Sequence, residues 1–312
     1  MTIFKRLPTL TQLRHLIAVS EHLHFGKAAA SCFITQSSLS LSIRELESGL
    51  GATLVERTRR SVMMTTLGSE IVSRARKVIT DVEDITDLVR ADDDPLSGSI
   101  RLGVIPTIAP FLLPRTLPRL RRAYPDLKLY LREERSADLV HQLTSGELDL
   151  LVLAFPYPVP GLETFLFADD PFWIAYPKGH PGGTSERVTP SSLKDDTLLM
   201  LEEGNCLRDH ALSACHLSTS SANVDFQASS LHTLIQMVDN GLGITVLPKM
   251  AIDGGIAKST QIQLRPLEGK GTSRQIGLVW RATSARKQEF LMLAEFFKDE
   301  LATPLRRSQK QA

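Results

Sequence analysis

The chain has 312 residues, 42% hydrophobic and 23% charged, the composition of an ordinary globular protein long enough for two or three domains. No run of about eighteen apolar residues occurs. The start MTIFKRLPTL lacks the apolar core and cleavage site of a leader, so the expectation is a cytoplasmic protein with no membrane partner. The formal charge of +1 is uneven: residues 1–80 carry eleven Lys and Arg against five acids, a net of +6, leaving −5 for the rest. A basic head suits a polyanion through phosphate neutralisation, although many solvated faces are also basic.

From Leu10 the spacing of Leu13, Leu16, Ile17 and Val19 predicts a helix. A short second helix follows in GKAAASCF, with Ala28, Ala29 and Cys32 on one face. Thr35 is an N-cap for a third, from Gln36 to about Ser48, stopped by Gly49 and Gly51. This is a helix-turn-helix order. In the third helix Leu39, Ile43, Leu46 and Leu50 form the expected buried side, leaving Gln36, Ser37, Ser38, Leu41 and Arg44 outward. Amides and hydroxyls suit base edges, Arg a guanine or phosphate, and Leu41 a thymine methyl. LVERTRRSVMMTT then reads as a wing whose Arg57, Arg59 and Arg60 reach phosphates or the minor groove. Periodicity alone fits a small helical bundle equally well.

Residue identity goes further. The run FGKAAASCFITQSSLSLSIRELESGLG, with LVER at Leu54 to Arg57 and TTLG at Thr65 to Gly68, resembles the winged helix-turn-helix of the LysR-type transcriptional regulators. It departs from that pattern in Ser42 where glutamine is usual, Ser37 where proline is common, and Val55 in place of a wing phenylalanine. The resemblance implies a DNA-binding domain over residues 8–65 whose partner is double-stranded promoter DNA, in a regulator and not an enzyme.

Leu67, Ile71, Ala75, Val78, Val82, Ile85 and Val89 then recur in steps of four and three, a heptad seam that calls for a partner helix. Residues 66–91 are read as a linker and dimerisation helix, and 92–99, with three acids, a Pro and a Gly, as a hinge. From residue 100 to 312 strands and helices alternate, an α/β order with parallel pairing expected. Two such sets, with the run GLGITVLP, resemble the two-lobed periplasmic-binding-protein-like regulatory domain of the same family. A cleft between lobes is the default ligand site. Rossmann, P-loop, HExxH and CxxC patterns are absent, so neither cofactor nor metal is expected.

Three cysteines make no disulfide framework. Two of them, Cys206 and Cys215, lie in EEGNCLRDHALSAC, nine residues apart. Free cysteine is among the most buried residue types, so two inert bystanders are one reading. Zinc spacing does not match, even with His210 and His216 near. Cys206, after a Gly-Asn turn at a helix start with Arg208 close by, is the other reading: an exposed thiol of lowered pKa. If the intervening segment is helical, the pair is roughly 13 Å apart, beyond the ~7 Å a disulfide tolerates, so bonding would unravel it.

The segment LLMLEEGNCLRDHALSAC, with QASSLHTL beyond it, GVIPT at Gly103 to Thr107 and LLP at Leu112 to Pro114, resembles the hydrogen-peroxide-sensing activators of the LysR-type family. That likeness implies Cys206 as the peroxide-reacting thiol and Cys215 as the resolving one. It implies a peroxide pocket of Thr107, Ser136, Asn205, Arg208, Asp209 and Arg274. Asn205 stands where histidine is usual and Ser136 where threonine is. It further implies hydrogen peroxide, RNA polymerase and a cellular dithiol reductant as partners, and a homo-tetramer. A small-molecule effector in the cleft, with inert cysteines, and a thiol peroxidase are the alternatives. Cys32 is expected to be core.

Overall fold

The computed structural model describes residues 7–57, 61–91, 95–193, 196–217 and 227–302. The chain divides near Asp94 into an N-terminal and a C-terminal unit.

In the N-terminal unit α1 (Leu10–His22) starts at a capping box, Thr9 accepting from the Gln12 amide while Gln12 accepts from that of Thr9. α2 (Phe25–Ser31) and α3 (Gln36–Leu50) follow, and Thr35 caps α3 by accepting from the Ser38 amide at 3.2 Å. Leu16 and Val19 from α1, Ala28 from α2, and Leu39, Ile43 and Leu46 from α3 form one core. Leu50, expected inside, is 36% exposed. Gly51 ends the helix in the left-handed conformation at φ 67°, and the chain turns so that Leu54 enters the core instead. The wing is an antiparallel pair, β1 (Val55–Arg57) and β2 (Val62–Met64). Its root is fastened to α3 by the Glu47 carboxylate, which accepts the amides of Leu54 at 2.8 Å and Val55 at 3.0 Å.

α4 (Thr66–Ala91) splits its apolar positions between two tasks. Val72 and Ala75 are buried, and Val72 and Ile71 pack on this unit's own core. Leu67, Val78, Val82 and Ile85 are exposed, Ile85 at 63%. The seam read from the sequence is thus partly occupied from within, and the Val89 side chain lies outside the described residues.

The C-terminal unit carries β3 (Gly98–Val104), α5 (Ala109–Ala123), β4 (Leu127–Glu133), α6 (Ser136–Thr144), β5 (Leu150–Phe155) and the long β6 (Leu162–Tyr176). Then come β7 (Met200–Leu201), α7 (Cys206–Ala214), β8 (Gln227–Ala228), α8 (Leu231–Asp239), β9 (Thr245–Pro248), α9 (Lys249–Asp253), β10 (Gln263–Pro266), β11 (Ser273–Arg281) and α10 (Lys287–Ala302). The main sheet runs β10-β6-β11-β5-β3-β4, with β9 also on β6. The expected parallel pairing holds for β3 with β4 and β5. It fails for β11, which returns antiparallel between β5 and β6. No helix crosses over between β5 and β6, so β6 runs on as a shared strand. Among the described residues no helix is long and apolar enough to cross a membrane.

Two hydrophobic cores result. The first gathers Leu102, Val104, Leu151, Leu153, Ile276, Leu278, Phe290 and Phe297. The second gathers Ile174, Leu199, Leu207, Leu212, Leu234, Val238 and Leu247. β6 serves both, giving the two lobes anticipated from the alternating pattern.

The Glu47 anchor yields a prediction. Glu47→Ala leaves two half-buried wing amides without their acceptor and is expected to destabilise the N-terminal unit by about 1–3 kcal/mol. Glu47→Gln, which keeps one acceptor oxygen, is expected to lose less. Urea unfolding followed by circular dichroism reads both.

Candidate functional site

Two surfaces carry chemistry. On α3 the side chains of Gln36, Ser37, Ser38, Leu41 and Arg44 are all exposed, as the periodicity requires when Leu39, Ile43 and Leu46 face inward. The Ser37 and Ser38 hydroxyls share the Thr35 Oγ1, at 3.0 and 2.8 Å, and Arg44 Nε donates to the Ser40 carbonyl. Ser42, at the position usually held by glutamine, is tied to α1 by a 2.8 Å bond between its hydroxyl and His15 Nδ1. Arg57 lays its guanidinium 4.1 Å over the Phe25 ring. Arg59 and Arg60 lie outside the described residues.

The second surface forms where α7 begins. Gly204 adopts φ +86°, Asn205 occupies the N-cap position, and Cys206 is the first helical residue. Asn205 does not cap with its side chain; Nδ2 donates to the Glu202 carbonyl at 3.0 Å. Cys206 is buried in the first core, whereas an exposed thiol was expected. Burial pushes its pKa up and not down. The opposing influences are smaller: the Arg274 charge, a hydrogen bond from the Ser136 hydroxyl and the thiol's own backbone amide favour the thiolate, and Asp209 disfavours it. A helix N-terminus sunk in apolar side chains costs the anion more than dipole and donors return.

Behind the thiol stands a buried ion pair. Arg274, with no exposed side-chain surface, donates from Nε and Nη2 to Asp170 Oδ2 at 3.0 Å, and from Nη1 and Nη2 to the hydroxyl and carbonyl of Thr107. The other Asp170 oxygen accepts the Met250 amide at 2.8 Å. Thr107, Ser136, Asn205 and Cys206 line one cavity of about 10 Å³, room for a single water-sized molecule.

Arg208 does not belong to that group. It is buried, and its Nη1 donates to the Leu201 carbonyl at 3.1 Å, among Leu199, Leu234 and Val246 of the second core. Two residues on from Cys206, about 200° round the helix, it turns away. Asp209 is exposed and acts only through its charge.

His210, weighed in the sequence only as a metal ligand, is a buried polar residue of α7. It lies four residues after Cys206, hence on the same helical face. Burial holds its imidazole below the ordinary pKa, so Nε2 is the donor to the Pro156 carbonyl at 2.9 Å, while Nδ1 has no partner. Asp170 gave no local signal, because its partner Arg274 is 104 residues away.

Cys215 follows the last turn of α7 and is buried in the second core, which pushes its thiol pKa up to about 11. Both thiols are free, and one intact helix separates them. The two ends of α7 are therefore anchored in different cores. Cys32 is half-buried at the C-cap of α2. Among the described residues no group of His, Cys, Asp and Glu could hold a metal ion.

The pattern of the family described as "Bacterial regulatory helix-turn-helix protein, lysR family" matches residues 10–69, and that of the "LysR substrate binding domain" matches residues 93–302. The chain is 39% identical over 298 residues to the HTH-type transcriptional regulator EstR of Acinetobacter baylyi, covering 95% of this chain and 98% of that one. It is 37% identical over 306 residues to the DNA-binding transcriptional dual regulator OxyR of Escherichia coli, covering 97% and 99%. A full-length OxyR variant from Pseudomonas aeruginosa superposes with a TM-score of 0.79 at 34% identity over 94% of this chain and 98% of that one. A hydrogen-peroxide-bound OxyR mutant from Corynebacterium glutamicum does so at 0.65 and 32% identity, over 95% and 94%.

The Ser136 hydroxyl favours the thiolate, so its removal must raise the Cys206 pKa further. In a chain with Cys32 and Cys215 replaced by serine, Ser136→Ala is expected to move the midpoint of Cys206 alkylation to higher pH. Rates of iodoacetamide labelling across pH 7 to 11 read this, and an unmoved midpoint would show that the hydroxyl does not hold the sulfur.

Proposed function

This chain belongs to the LysR family of bacterial transcriptional regulators, and to its OxyR type, and from that premise we propose that it senses hydrogen peroxide by joining Cys206 to Cys215. The observation that carries this reading is the seating of the two thiols at opposite ends of one helix, each in its own core, with a water-sized cavity against Cys206.

The chemistry follows from these positions. Peroxide enters the cavity, and the Cys206 sulfur attacks one oxygen; the O–O bond breaks, the sulfur becomes a sulfenic acid, and the other oxygen leaves as water once it takes a proton. Arg274 and the Ser136 hydroxyl favour the thiolate at the moment of attack. Thr107, whose oxygen already accepts from Arg274, keeps its own O–H to donate toward the departing oxygen. Asn205 donates a hydrogen bond but carries no proton, so it orients and does not relay. The Cys215 sulfur then attacks the sulfenic sulfur, the S–S bond forms and a second water leaves.

That second step requires motion. At about 1.5 Å per residue α7 holds the backbones of the pair roughly 13 Å apart, so α7 must unwind and Cys206 or Cys215 must leave its core. The helix and the disulfide are mutually exclusive, which makes two discrete states of one segment. A cellular dithiol resets it by exchange. The exposed Val78, Val82 and Ile85 of α4 suit pairing with a second copy, which places two heads on two half-sites, and a homo-tetramer on promoter DNA contacting RNA polymerase follows as the working assembly.

A second reading has one observation behind it. A cavity of about 550 Å³, within the usual range for small ligands, is lined by Phe111, Pro114, Arg115, Asp170, Lys249 and Met250. A regulator answering a small effector there would keep its cysteines inert.

Peptide mass spectrometry after brief peroxide exposure separates the two, since only the sensing reading yields a Cys206 to Cys215 cross-link. Cys206→Ser is expected to keep DNA binding and lose every peroxide-dependent change in the footprint. Cys215→Ser is expected to stop at a sulfenic acid that a dimedone reagent captures; a peroxide response surviving in Cys206→Ser would overturn the mechanism.

A further inference from the structure

The turn between α2 and α3 closes as a Schellman motif. The Phe33 amide donates to the Ala30 carbonyl at 3.1 Å and the Ile34 amide to the Ala29 carbonyl at 3.0 Å. That closure needs a left-handed residue at position 33, a place for glycine or asparagine. Phe33 occupies it at φ 57°. Its side chain is 96% exposed, the highest value among the large hydrophobic residues described. Among the described residues it stacks on no ring and lies under no cation. A bulky ring in a conformation that disfavours it, contributing nothing to the core, is not explained by the fold.

Its position supplies a reason. Phe33 stands two residues before the N-cap Thr35, at the end of α3 where Gln36, Ser37 and Ser38 are exposed. In helix-turn-helix heads the N-terminal residues of the recognition helix contact base edges. The closing bonds of the turn therefore hold the ring outward beside the surface that meets the duplex. Apolar groups read thymine methyls and pack on deoxyribose, and phenylalanine is among the side chains used as apolar wedges in DNA grooves.

We propose that Phe33 is a DNA-contacting residue that lays its ring on the apolar surface of the duplex, thymine methyl or deoxyribose, next to the bases faced by α3. In a head whose other outward groups are mostly polar or charged, it supplies affinity that does not depend on counterion release. Phe33 lies in the DNA-binding head, so this role is independent of the cysteine chemistry.

The test uses the full chain and a duplex that the wild-type chain selects from random sequence, with binding read by fluorescence anisotropy. Phe33→Asn keeps a residue that accepts the left-handed turn while removing the ring. It is expected to raise Kd by about tenfold and leave the slope of log Kd against log salt unchanged. Arg44→Ala, measured beside it, is expected to lower that slope by about one if it meets a phosphate. Phe33→Tyr is expected to bind nearly as the wild type does. Phe33→Gly, which relieves the turn altogether, provides a second ring-free variant should the asparagine disturb the head. Binding by both ring-free variants within about twofold of wild type, at unchanged thermal stability, overturns the proposal. So does a loss of salt slope equal to that of Arg44→Ala, or a loss of transcription in cells with DNA affinity intact, which would assign the ring to a protein partner.

Discussion

Arg274 and Asp170 form the interaction on which the regulatory unit depends. The pair joins β11 to β6, and through its remaining donors and acceptor it holds Thr107 after β3 and the Met250 amide at the start of α9. Two charges without solvent are tolerable only when they are paired and well hydrogen-bonded, and here four separate segments take part. The same guanidinium is the largest favourable influence on the Cys206 thiolate. Structural integrity and thiol chemistry thus share one cation, so the site is not an appendage to the lobes but a property of how they are joined. It also limits variation, because a change that loosens the pair strands a carboxylate in the core.

The recognition face was legible from the sequence because it is local. Leu39, Ile43 and Leu46 follow one helical stripe, and what they leave outside, Gln36, Ser37, Ser38, Leu41 and Arg44 among it, is the exposed face of the helix. Leu50 broke the pattern only because Gly51 ends the helix there and Leu54 takes its place. The seam on α4 was half legible: spacing reveals that a stripe is apolar, not whether α1 or another copy covers it. The antiparallel return of β11 was not legible, since nothing in SRQIGLVW states which neighbours it finds more than a hundred residues earlier.

The thiol site shows the same division. A Gly-Asn turn opening a helix at Cys206 was readable, and the structure places Thr107, Ser136, Asn205 and Arg274 around that residue. The expected exposed, acidic thiol was not found, because a helix dipole is inferred from neighbours in sequence while burial comes from a core that gathers residues far away in the chain, Ile105 beside the thiol among them. Arg208 was drawn toward the sulfur by proximity in sequence, and its rotamer, set by the Leu201 carbonyl, takes it elsewhere. His210 was within reach of a simple rule, the fourth residue along the same helical face, and went unused because the histidines were weighed only as metal ligands.

The burial of both thiols has a consequence for signal and noise. A sensor with an exposed, ionised cysteine would answer any electrophile that diffuses past it. Here the thiol of Cys215 stays protonated to about pH 11, and that of Cys206 opens onto a cavity of about 10 Å³. Burial therefore costs each thiol its ready ionisation, and whatever reacts with Cys206 must first reach a sulfur held among core side chains. Reactivity at this site is therefore governed by access to the sulfur as much as by nucleophilic strength.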